Sequence, residues 1–143
     1  MAVALPFSLA MGVVIAQPAI SVTGLYQMDC KPIGSIVPGL QQRCEAMRAN
    51  GKLPTYRFSV DDNGRWEVAP PLSGAVSGRQ TLESTRFEGH ACVQAPMVMV
   101  CEVPPNTDIF KNTNPPGPSI QSRSGLILMG TNFGVTDLIK VAE

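Results

Sequence analysis

The sequence predicts a mainly β protein with one short helix (α+β): a small antiparallel sheet sandwich or partly open barrel, turn-rich and stapled by disulfides. Three observations carry this. Thirteen glycines and 13 prolines punctuate 143 residues, which suits short strands and tight turns better than a helical bundle. The stretch TYRFSVDDNGRWEV alternates apolar and polar side chains on both sides of a turn signal. Four cysteines form an even set, the arithmetic of a disulfide framework.

The length suits one domain with a real core. Eleven basic side chains balance eleven acidic ones, so no net field draws the chain to nucleic acid or acidic substrates. No charged side chain precedes Asp29. Within that stretch AVALPFSLAMGVVIA resembles the apolar region of an export signal, with Val14 and Ala16 in a small-x-small arrangement before a cut ahead of Gln17. Residues 1–16 are therefore read as an export signal. The alternatives are an apolar N-terminal strand kept in the fold, or a retained membrane anchor diluted by Gln17, Pro18, Ser21 and Thr23. Residues 17–143 form a single β-rich domain.

That domain opens with AISVTGLYQ, a strand ending near MDCKP. A loop rich in Pro and Gly leads to the best helix, GLQQRCEAMRANG. Leu40, Cys44 and Met47 fall on one stripe at helical spacing, and Asn50 with Gly51 supplies the stop. Three turns are marginal in isolation, so the helix must dock to persist. In the following hairpin a two-residue Asn63–Gly64 turn would place Val60 opposite Glu67. A three-residue Asp62–Asn63–Gly64 loop instead pairs Val60 with Trp66 and Phe58 with Val68, with Gly64 left-handed. This second register is the expected one.

RQTLESTRFEG reads as one strand, and CVQAPMVMVCEV as another that Pro96 confines to an edge or divides. Residues 103–119 carry five prolines and make a long loop or an irregular wrap around the body. SGLILMG is a strand, and GVTDLIKVA a strand or a terminal helical turn.

Cys30, Cys44, Cys92 and Cys101 permit three pairings, among which sequence does not choose. The local solution, Cys30–Cys44 and Cys92–Cys101, has a physical logic. It ties the loop after the first strand to the buried stripe of the helix, and clamps a strand pair or wide loop. A zinc site from His90, Cys92 and Cys101 would need a fourth ligand and the close C-x₂₋₄-C spacing that this chain does not have. DDNG reads as a turn before it reads as a calcium loop.

Catalytic signatures are not found: the sequence holds no G-x-S-x-G, P-loop or H-E-x-x-H, and His90 is its only imidazole. Glu83 and Glu88 could approach Asp61 or Glu67, but no spacing requires it. No catalytic residue, metal or cofactor is therefore assigned. Met97 and Met99, with Val98 and Val100 between and after them, give a strand apolar on both faces, which makes Met97 and Met99 the candidate contact surface.

The functional expectation is a small exported non-catalytic protein acting by binding or assembly, secreted, periplasmic or on the cell surface. Its partner would be another protein or a second copy, not nucleic acid, with the membrane involved only through a retained N-terminus. Two alternatives stand beside it: a structural subunit of a larger particle (surface layer, virion, tail or pilus) that keeps its apolar start, and a small hydrolase. The hydrolase requires a cleft joining His90 or paired carboxylates to a group with a shifted pKa.

Overall fold

The structure is a computed structural model that describes residues 20, 22–31, 33–34, 38–73, 78–110, 113, 115, 117, 119–131 and 134–143. The export-signal reading of residues 1–16 lies outside them. In chain order the elements are β1 (Gly24–Met28), α1 (Leu40–Ala49), β2 (Tyr56–Val60), β3 (Trp66–Ala69), β4 (Gln80–Phe87), β5 (His90–Ala95), β6 (Val98–Glu102), β7 (Leu126–Gly130) and β8 (Gly134–Ala142).

Each strand pairs antiparallel with the next, and β8 returns onto β1 through Tyr26↔Lys140 and Met28↔Leu138, closing a barrel. The mainly β class with one helix holds, but the wall is closed rather than a sandwich or a partly open barrel. Closure depends on pairing the first strand of the domain with its last, and local periodicity carries no information about that.

The strands obey their alternation. Tyr26 and Met28, Tyr56 and Phe58, Trp66 and Val68, Val93, Val100, Leu128 and Leu138 are buried in one inner cluster. Eight strands leave an interior that side chains can fill, and here aromatic and branched residues fill it. The Tyr26 and Phe58 rings meet edge to face at 5.7 Å. Each buried large apolar side chain contributes about 1.5–3 kcal/mol.

The β2–β3 hairpin has the expected register, Val60↔Trp66 and Phe58↔Val68, with Gly64 at φ 76°. Asp61 Oδ1 accepts the backbone N–H groups of Asn63 and Arg65, so the acidic pair makes a turn. Pro96 divides its segment: β5 and β6 are separate strands joined at Pro96–Met97. GVTDLIKVA is strand throughout. The first strand is shorter than AISVTGLYQ, beginning at Gly24. Ile20 is nonetheless buried in the inner cluster.

One end of the barrel is closed. Helix α1 lays Cys44 into the inner cluster, with Leu40 and Met47 packed beside it. Its stop at Gly51 (φ 68°) is a Schellman motif in which Lys52 N–H donates to Met47 O and Gly51 N–H to Arg48 O. Leu53 and Leu72 complete the closure. Gln80 Oε1 accepts the Leu72 and Ser73 N–H groups, which ties those two residues to the start of β4.

The outer wall carries a second cluster. Cys92, Cys101 and Ile127 are buried there beneath Val103, Ile109 and Ile120, with Met99 and Met129 packed against them. The described part of the proline-rich segment, through Val103, Ile109 and Phe110, therefore wraps the wall of β5–β7. Asp108 fixes it by accepting from Phe110 and Ile120 N–H, and Asp108 bridges Gln121.

Candidate functional site

The opposite end, where β5 begins and β6 ends, is the mouth. A cleft of about 520 Å³ opens there, lined by Val22, Tyr26, Gly89, His90, Ala91, Glu102, Val103, Pro104, Pro105, Ser124, Gly125 and Leu126. That volume lies in the range of small-molecule and side-chain pockets. By contrast, the space beneath α1, among Met28, Cys30, Leu40, Cys44 and Thr136, amounts to about 10 Å³, no more than one water.

Each lining group is placed by the wall. Tyr26, Ala91, Glu102 and Leu126 alternate with outward residues on β1, β5, β6 and β7, and register Glu102 opposite Leu126. Gly89 belongs to the β4–β5 turn, where Glu88 and Gly89 both have positive φ (49° and 80°), the favoured I′ geometry for a two-residue hairpin. This tight turn brings His90 to the rim. Pro104 and Pro105 are exposed at the start of the wrapping segment. Apolar groups thus make up half the lining, with a phenol, an imidazole, a carboxylate and a hydroxyl among them.

The electrostatics of the mouth centre on Tyr26. Burial pushes its phenol above 10.0, Lys140 pulls it down, and Glu143 and Glu102 push it up. It therefore remains a neutral hydrogen-bond donor at physiological pH and is further from use as a base than a free phenol. Lys140 is raised by its hydrogen bond to Glu143, 2.8 Å away. Ser124 Oγ lies 2.9 Å from the Leu126 carbonyl and 3.2 Å from Asp137 Oδ1, so its proton is directed into the turn below the rim. The cleft does join His90 to a carboxylate, one part of what a hydrolase needs. The hydroxyl and phenol beside them are not presented as nucleophile or base.

The four cysteines adopt the local pairing. Cys30–Cys44 ties the end of β1 to α1, and Cys92–Cys101 links directly opposed residues of β5 and β6 with Cα atoms 4.1 Å apart. Cys92 and Cys101, the thiols of the zinc hypothesis, are bonded to each other. Among the described residues no cluster of three His, Cys, Asp or Glu side chains is arranged to hold a metal ion. Glu67 makes its ion pair with Arg79 at 3.3 Å and stands opposite Thr81 in the β3–β4 register.

The two methionines part company. Met99 is half-buried on the outer wall under the wrapping segment. Met97 is 67% exposed in the β5–β6 turn, at the end of the barrel away from the mouth. Both faces of β6 are apolar because one lines the interior and the other lies under the chain's own proline-rich segment. Sequence reasoning singled out His90 but missed Tyr26, Glu102, Pro104, Pro105 and Leu126, which no motif or spacing joins. Comparison with family models, curated proteins and solved structures finds no match for this chain.

Proposed function

We propose that this protein is a small, exported, non-catalytic barrel that acts by binding, and that the mouth cleft receives its ligand. The observation that carries this is the cleft of about 520 Å³ on which β1, β5, β6 and β7 converge, with a half-apolar lining; two others of about 460 Å³ lie along β4, one of them beside the Pro96–Met97 turn. A closed barrel offers no strand edge for β-addition among its described strands. Binding then falls to ends and loops. The two disulfides support an oxidising compartment, and hence export.

The test uses an environment-sensitive anilinonaphthalene sulfonate dye as probe, read by its own fluorescence. The native protein is expected to bind one dye saturably. Val22→Asp, which places a carboxylate in the lining, is expected to weaken that binding about tenfold or more. No saturable binding by the folded native chain, or equal binding by the variant, would overturn the assignment.

A further inference from the structure

Exposure of one methionine is ordinary, and scattered apolar side chains on a surface need no explanation. Met97 is different because three local rules fail together there. Among the described residues it is the most exposed of the large hydrophobic ones, at 67%. It holds φ 67°, a left-handed conformation that suits glycine and not an unbranched apolar side chain. It also sits in a two-residue hairpin turn after Pro96, whose ring fixes φ near −65° and so excludes the I′ and II′ turns that match strand twist. The same barrel uses the favoured type at Glu88–Gly89 one hairpin earlier.

The turn is also held in place. Ser73 Oγ donates to Pro96 O at 2.9 Å, and Thr131 N–H donates to Met97 O at 3.3 Å. A rigid, costly, exposed apolar tip is the geometry of a contact group, since strain of this kind persists where something other than stability selects it.

We infer that the ligand of the mouth is the Pro96–Met97 turn of a second copy, so that copies associate head to tail. This rests on the reading of the mouth as a binding site. The turn and the mouth lie at opposite ends of the β5–β6 hairpin, about 20 Å apart along the strand. One molecule can therefore offer its tip to one neighbour while receiving the tip of another. The tip itself, Pro96 and Met97, carries no charge to desolvate, and the carboxylates near the contact are Glu102 in the mouth and Glu83 beside the tip. The formal net charge is zero, and no long-range repulsion opposes stacking of copies. Such a contact is heterologous and propagates as a ring or a filament.

Sedimentation velocity over a range of concentrations tests this with the full chain. The native protein is expected to grow beyond a dimer as concentration rises. Met97→Asp and Val22→Asp are each expected to weaken association about tenfold or more. Their equimolar mixture is expected to form a dimer and nothing larger, because one variant keeps its mouth and the other its tip. Should Val22→Asp fail to fold, Pro105→Asp replaces it. A native chain that stays monomeric, a Met97→Asp variant that assembles like the native chain, or variants that each dimerise alone would overturn head-to-tail association. Dye binding by Met97→Asp separates the two claims: saturable binding without assembly leaves the mouth a ligand site and removes only the self-association.

Discussion

Asp137 is fully buried on the outer side of β8, and its carboxylate contacts gather the turn that precedes β7. Its Oδ1 accepts from Ser122 Oγ at 2.7 Å and Ser124 Oγ at 3.2 Å, and Oδ2 accepts from Arg123 N–H at 3.0 Å. The Arg123 side chain adds an ion pair at 3.7 Å and reaches on to Asp29. One residue thereby fixes the turn that supplies Ser124 and Gly125 to the mouth. Asp137→Ala leaves those donors in a buried site without their acceptor, a loss of about 3 kcal/mol. Urea unfolding measures it, and a change below about 1 kcal/mol would show that the turn is held by its backbone instead.

Among elements, α1 depends most on its surroundings. It has ten residues and no side-chain cap at Gly39, and it buries only Cys44 fully. Isolated helices of that length are marginal, so the Cys30–Cys44 bridge and the docked stripe hold it. Replacing both cysteines with serine is expected to cost about 3 kcal/mol for the 14-residue separation. The same change should reduce the helical circular dichroism before the barrel melts. The Cys92–Cys101 bridge joins residues already paired across β5 and β6, so its removal should lower stability while the strands stay paired. Unchanged helicity in the first double variant would place the support of α1 in packing alone.

For the whole molecule, both of the chain's tyrosines face the barrel interior, Tyr26 where it also lines the mouth. Burial raises Tyr56 as it raises Tyr26. In the folded state each phenol holds its proton to higher pH than in the unfolded state. Between the unfolded value of 10.0 and the higher folded value the native chain therefore binds more protons, and stability falls as pH rises through that window. Below it, these groups leave stability unchanged. Phenolate absorbance of the native protein should appear above the range of a free phenol. Ordinary titration of both tyrosines in a folded barrel would contradict their burial. The sequence by itself determined what neighbouring residues decide. The Val60↔Trp66 register follows from two alternating faces and one glycine, α1 and its stop follow from a stripe ending at Asn50–Gly51, and the division of β5 from β6 follows from Pro96. Tertiary structure alone decided closure, which pairs β1 with β8, and the packing of Met99 with Val103, Ile109 and Ile120. It also decided the mouth, whose lining comes from separate segments at Val22–Tyr26, Gly89–Ala91, Glu102–Pro105 and Ser124–Leu126. Periodicity reports which face of a strand is buried, whereas a cleft forms from residues whose only relation is the barrel end they share.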